Sequence, residues 1–252
     1  MSPNIMFNIT AIPAFQDNYI WAIHNAQHAV VVDPGDAAPV QEFLTAQHLK
    51  LTAILCTHRH NDHIGGIAKL RGEYHVPVYG RSHPNNLHIT NDLREGGQVV
   101  IAEFSLTFNI IEIPGHLDDH IAFFNSEILF CGDVLFGAGC GRNKEGTLMQ
   151  LHQSLQRLSQ LPDETRVYCA HEYTAANIQF ALACEPNNLA LKERFLTTQK
   201  LRAANLPSLP SSIALEKTTN PFLRCNSPEI IHILQQRGLH DTSKLGIFTA
   251  LR

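Results

Sequence analysis

The sequence predicts an α/β domain followed by a smaller helical one, and three observations carry that expectation. As far as His171, short apolar runs of strand length alternate with segments of helical spacing. The His and Asp residues of greatest chemical interest each follow the end of such a run, where a scaffold of this class presents its chemistry. After Tyr173 strand patterns fade and helical patterns take over. A boundary is therefore expected near residue 172, dividing 1–172 from 173–252.

Ala29-Val30-Val31-Val32 is an apolar strand stopped by the turn residues Asp33-Pro34-Gly35-Asp36. Val40, Phe43, Leu44 and Gln47 follow helical spacing, with Pro39 close to the start, where its missing N–H costs least. Leu51 to Cys56 is a second short strand that runs directly into a His-rich segment, and Gly65-Gly66 lets the backbone turn into a helix over Ile67 to Leu70. Leu106, Phe108 and Ile110 alternate as in a half-buried strand. Ile121 to Phe124 and Ile128 to Cys131 flank Asn125-Ser126-Glu127 and read as a hairpin. Thr147 and Gln150 form a capping box ahead of Leu151, Leu155 and Leu158. Arg166 to Ala170 is a last strand, ending at His171. Beyond it, Thr174 to Cys184 and Leu189 to Ala204 are helical, Leu206 to Ser212 is a Pro/Ser-rich connection, and Ser227-Pro228 and Gly238 start and stop a further helix.

Composition narrows the function. The 252 residues are 44% hydrophobic and 17% charged, which suits a packed core. With 19 Lys+Arg against 23 Asp+Glu the formal net charge is −4, and no basic block marks a nucleic-acid surface. Met1 to Thr10 lacks the pattern of a secretory signal, and no apolar stretch reaches membrane-spanning length. The six cysteines include no Cys-x-x-Cys pair, and Cys56, Cys131 and Cys169 lie in apolar strands, so a reducing, cytoplasmic setting is expected. Without an apolar stripe left for a partner, a monomer is expected.

The 15 histidines are not evenly spread. His58-x-His60-x-Asp62-His63 puts four candidate ligands into six residues at the end of a strand. Alternation along an extended segment points His58 and His60 to one side. A turn at Asn61 brings Asp62 and His63 to an adjacent position. Imidazole and carboxylate suit zinc, and also iron or manganese. His116, His120, Asp133 and His171 each follow a further apolar run.

The motif His58-x-His60-x-Asp62-His63-x-Gly65-Gly66 resembles the metal motif of the metallo-β-lactamase superfamily. More closely, the chain resembles the glyoxalase II, or hydroxyacylglutathione hydrolase, family. The supporting segments are Ile12-Pro13-Ala14-Phe15-Gln16-Asp17-Asn18-Tyr19, Val32-Asp33-Pro34-Gly35, Ala138-Gly139-Cys140-Gly141-Arg142, Glu145-Gly146-Thr147, His171-Glu172-Tyr173-Thr174, Glu185-Pro186-Asn187-Asn188 and Asn220-Pro221-Phe222-Leu223-Arg224. The last three are the more family-specific.

The resemblance implies an αββα sandwich followed by a helical substrate-binding domain, and a site for two divalent metal ions, zinc foremost. His58, His60 and His116 would hold one metal, Asp62, His63 and His171 the other, and Asp133 would bridge them. His120 would orient the site rather than ligate. The implied reaction is hydrolysis of the thioester S-D-lactoylglutathione to D-lactate and glutathione, the second step of methylglyoxal detoxification. A metal-bridging hydroxide, activated by the metal-held Asp62 and Asp133, would attack the carbonyl. Arg142, Tyr173 and Arg252 match positions that bind the substrate's glutathione part. Three departures bear on that binding. Asn143-Lys144 stands where an aromatic pair is common, Leu117-Asp118-Asp119 replaces the usual Thr-x-Gly or Thr-x-Ser, and a Lys expected shortly after Arg252 is absent. A raised KM with chemistry retained is expected.

Four other readings compete. A persulfide dioxygenase shares the fold and a glutathione-type substrate and uses one iron, but such chains generally lack the roughly 80 residues that follow His171 here. Flavodiiron oxygen reductases carry Glu where His60 stands. A superfamily nuclease is disfavoured by the negative net charge. A purely structural metal site would want a closed tetrahedral shell, whereas seven candidate ligands for two metals leave room for water.

Overall fold

A computed structural model describes residues 7–252; the expectation about Met1 to Thr10 therefore falls partly outside the described residues. The chain packs as two compact units. The first comprises the chain to Glu112 with Asp119–Asn125 and Leu129–Gly132; the second comprises Ile113–Asp118, Ser126–Ile128 and Asp133–Arg252. Packing thus groups several segments upstream of residue 172 with the C-terminal helices.

The first unit opens with β1 (Asn8–Ala14), β2 (Asn18–His24) and β3 (His28–Val32), an antiparallel meander. After helix α1 (Ala37–Ala46), β4 (Lys50–Leu55) joins β3 in parallel. The short helix α2 (Asn61–Ile64), α3 (Ile67–Tyr74), β5 (Val78–Gly80) and β6 (Asn91–Asp92) follow, and the sheet runs in the order β1-β2-β3-β4-β5-β6. Both faces of its central strands are buried, as continuous apolar runs require. Ile20, Val31 and Ile54 cluster with Val40 and Leu44 of α1 and Ile67 and Leu70 of α3. The alternate residues Trp21, Ile23, Val30 and Leu55 are buried as well. β7 (Gln98–Ile101), β8 (Leu106–Glu112), β9 (Ile121–Phe124) and β10 (Ile128–Gly132) form successive antiparallel ladders, with Phe108, Phe123 and Phe130 fully enclosed.

In the second unit β11 (Leu135–Phe136) and β12 (Gly139–Cys140) make a tight hairpin. Helix α4 (Leu148–Leu158) starts with the capping box read from Thr147 and Gln150. β13 (Arg166–Cys169) pairs with β14 (Ser211–Ser212). The helices are α5 (Thr174–Cys184), α6 (Leu189–Ala203), α7 (Ile213–Thr219), α8 (Pro228–Gln236) and α9 (Lys244–Leu251). The helix expected over Ile67 to Leu70 continues one turn further, to Tyr74. Among the described residues, no helix is long and apolar enough to cross a membrane.

Candidate metal centre and substrate cavity

In the first unit the parallel neighbours β3 and β4 end side by side, and the loops that leave them meet. Asp33, just past β3, accepts hydrogen bonds from the Thr57 N–H at 2.7 Å and the Thr57 hydroxyl at 2.7 Å. The same carboxylate lies 3.1 Å from His63 Nδ1. Gly35 allows this approach, because a Cβ there would meet the Asp62 carbonyl oxygen at 1.9 Å. After Thr57 the chain is extended through His60 and then closes into the single turn α2, which carries Asp62 and His63. The turn expected at Asn61 is this helical turn. His58 Nε2 comes within 3.1 Å of His60 Nδ1, and the His58 and His63 rings are 3.9 Å apart. His58, His63 and Asp33 present ligand atoms within 4.8 Å of one another. His120 stacks on His58 at 4.6 Å and 16°. Asn18 donates to the Asp62 carboxylate at 3.0 Å.

In the second unit, Asp133 gathers two imidazoles. His171 Nε2 is 3.3 Å from one of its oxygens and His116 Nε2 is 3.6 Å from the other. The backbone carbonyl of Arg142 lies 2.6 Å from His116 Nδ1. His171 stacks on Tyr173 with ring centroids 4.7 Å apart and 6° between planes.

These contacts decide the tautomers. Asp33 and the Arg142 carbonyl have only lone pairs to offer, so His63 and His116 must donate through Nδ1. Thr57 spends its one hydroxyl hydrogen on Asp33 and so accepts from His58 Nδ1. All three rings are left with an Nε2 lone pair. His63 Nε2 then faces the Asp62 carboxylate at 3.5 Å, and His116 Nε2 faces Asp133. With the rings neutral, a lone pair set beside a carboxylate oxygen is repulsive unless a cation, a proton or a metal ion, lies between them. The donor set therefore fits a divalent metal, with Asp33, Thr57 and the Arg142 carbonyl orienting the rings.

A separate cavity of ≈ 510 Å³ in the second unit is lined by Arg142, Asn143, Cys140, Phe180, Phe222 and Arg252, among others. The Arg252 guanidinium lies 5.6 Å from the centre of the Phe222 ring. Arg142 and Arg252, matched to substrate positions in the sequence, share this one cavity. Tyr173 does not line it and packs instead against His171 and Phe136. Burial pushes the Cys140 thiol up to about 12, so the thiol in the cavity wall stays protonated at neutral pH. All six cysteines are free and buried.

In the sequence Asp33 stands as a turn residue, and Asp33 and Asn18 as parts of segments that carry the family resemblance, with no site role; Arg59 has none. The signal for Asp33 is its position: an acid directly after an apolar strand, as with Asp133. Arg59 pairs with Asp119, both buried, which gives a structural role to one of the residues that depart from the usual pattern between His116 and His120.

Comparison with known proteins agrees with this geometry. Residues 14–171 match the metallo-beta-lactamase superfamily, and residues 172–252 match the hydroxyacylglutathione hydrolase C-terminus. A hydroxyacylglutathione hydrolase of Nitrosomonas eutropha is 48% identical over 98% of this chain and 97% of its own length. One from Aeromonas hydrophila is 49% identical over 93% and 92%. Among solved structures, ETHE1 from Myxococcus xanthus superposes with a TM-score of 0.66 at 28% identity, covering 94% of this chain and 93% of that one. BLEG-1 B3 metallo-beta-lactamase gives 0.64 at 24%, covering 87% of this chain and all of that one, and so speaks for the fold alone. ETHE1 is thus the more distant likeness, and the helical segment after His171 carries a family signature of its own. Matched along nearly its whole length at close to half identity, the chain belongs to the hydroxyacylglutathione hydrolase family of the metallo-beta-lactamase superfamily.

Proposed function

We propose that the protein hydrolyses S-D-lactoylglutathione, or a similar 2-hydroxyacylglutathione, to the hydroxy acid and glutathione. The observation that carries the reading is the near end-to-end identity of 48% to a hydroxyacylglutathione hydrolase. Residues 1–172 form the catalytic domain in this proposal and residues 173–252 the substrate-binding one. His58, His60 and His116 would hold one metal, Asp62, His63 and His171 the other, with Asp133 available to both. Zinc is the proposed metal, since imidazole and carboxylate donors suit it, and the same set would also accept iron or manganese. Bound there, two such ions would supply a water acidified toward a pKa of about 7 and Lewis-acid polarisation of the thioester carbonyl.

The chain's own residues do the rest. Asp33 and Thr57 keep three imidazoles in the ligating tautomer, with the Arg142 carbonyl. Asn18 donates to the Asp62 carboxylate and holds it in place as a ligand. Arg142 and Arg252 supply two positive charges to the ≈ 510 Å³ cavity, complementary to the carboxylates of a glutathionyl group. The leaving thiolate belongs to a thiol of pKa about 8.5, so no strong general acid is required. A cytoplasmic monomer completes the proposal.

The deciding experiment assays the purified protein, with its metal content measured, for S-D-lactoylglutathione hydrolysis and for oxygen consumption with glutathione persulfide. Thioester cleavage without oxygen uptake, at about two metals per chain, is the expected result. Oxygen uptake with a single iron would overturn the proposal in favour of the persulfide dioxygenase reading.

A further inference from the structure

Outside the ligands and the cavity, the second unit holds a fully buried carboxylate that the reaction does not use. Glu216 of α7 is 0% exposed. One oxygen accepts from Arg194 of α6 at 2.6 Å and from the Ser211 hydroxyl. The other accepts from the backbone N–H of Ala138 at 2.9 Å and from the Asn220 side chain at 2.9 Å. Asn220 also donates to the Gly139 carbonyl at 2.8 Å. Arg194, Glu216 and Asn220 thus close on one small target, the turn of the β11–β12 hairpin.

That turn is under strain. Ala138 has φ +54°, a left-handed conformation that a residue with a Cβ seldom adopts. Such backbone persists where its surroundings over-determine it. The helices press on the same turn from another side: Asn177 of α5 donates to the Gly137 carbonyl at 3.0 Å, and a Cβ on Gly139 would meet the Asn177 amide at 2.4 Å. The hairpin joins the two functional features of the unit. Asp133 precedes it by two residues. Cys140 and Arg142 follow the turn and line the cavity, and the Arg142 carbonyl orients His116. Gly141 N–H donates to Val134 O at 3.1 Å, tying the returning strand to the residue beside Asp133.

We infer that Glu216, with Arg194 and Asn220, is a positioning group that fixes this strained hairpin and through it sets both the His116–Asp133 ligand pair and the Arg142 wall of the substrate cavity. The inference rests on the proposed function only in what that ligand pair and cavity bind.

The test compares Glu216→Gln with Glu185→Gln, which disrupts another buried carboxylate cluster of the same unit that has no bond to the hairpin. A double variant, Glu216→Gln with Ala138→Gly, removes the strain the clamp opposes. Amide exchange over residues 134–142 is read on metal-free protein, zinc affinity by chelator competition, and KM and kcat on S-D-lactoylglutathione. Glu216→Gln is expected to speed exchange across the hairpin, weaken zinc binding about 10-fold and raise KM. Ala138→Gly should restore part of each, and Glu185→Gln should alter none of the three even where its melting temperature falls as far. Equal behaviour of Glu216→Gln and Glu185→Gln in all three readouts would overturn the inference. A wild-type chain inactive on the thioester would count against the proposed function instead, while the exchange comparison still decides the clamp.

Discussion

Asp33 makes three contacts with two neighbouring segments, and each directs a histidine. One oxygen accepts from the Thr57 N–H, the other accepts from the Thr57 hydroxyl and faces His63, and Thr57 in turn holds His58. An amide at this position keeps the shape and loses one acceptor. Asp33→Asn should therefore leave the fold intact by circular dichroism and weaken zinc binding 10- to 100-fold in chelator competition. Arg142 acts on the other half of the problem. Its side chain is exposed on the cavity rim and only its carbonyl touches a ligand, so Arg142→Ala should raise KM about 10-fold and leave kcat nearly unchanged, the signature of lost uniform binding. At this scale the sequence is informative where residues are dense. His58, His60, Asp62 and His63 are legible because they crowd one strand end. Asp33 and Glu216 are harder to read, because the partners of Asp33 lie 24 and 30 residues away and the hairpin that Glu216 holds lies 78 residues away.

Elements with strong local signals were legible to within a residue or two. The capping box of α4 follows from side chains that satisfy an exposed helix end, whereas α5 begins without a side-chain cap. The β1–β2 hairpin had no such mark. Its turn carries Phe15 at φ +51°, where an Asn or Gly would ordinarily announce the reversal. Helix α9 escaped for a related reason, since Gly246 lies within it and argues against a helix on propensity alone. In the helical segment, Glu185 after α5 binds Arg224 through two nitrogens at 2.7 and 2.8 Å and accepts from Ser227. Burial works to raise its pKa, and these partners outweigh burial and hold it below the usual carboxylate value. A depressed folded pKa means the stabilisation is complete above the ordinary value of 4.5 and is lost as pH falls through the lower folded one. Glu185→Gln should cost about 3 kcal/mol in denaturant titrations at pH 7, the low end for breaking a buried pair because Arg224 is partly exposed. The difference from wild type should shrink below pH 4.5. A constant difference from pH 7 to pH 3 would show that the pair's charge contributes nothing.

At the scale of the whole chain, the order of strands and helices predicted the α/β class, and among the described residues no helix is long and apolar enough to cross a membrane. Packing units interleave in sequence, with Ile113–Asp118 and Ser126–Ile128 belonging to the second. Interleaving of this kind depends on contacts distant along the chain. The central claim is metal-dependent thioester hydrolysis by two ions, and the most direct test is to strip the protein with a chelator, then restore zinc stepwise while S-D-lactoylglutathione turnover is followed. Activity should vanish on stripping, return with zinc and level off near two equivalents per chain. Full turnover by rigorously metal-free protein would contradict the claim.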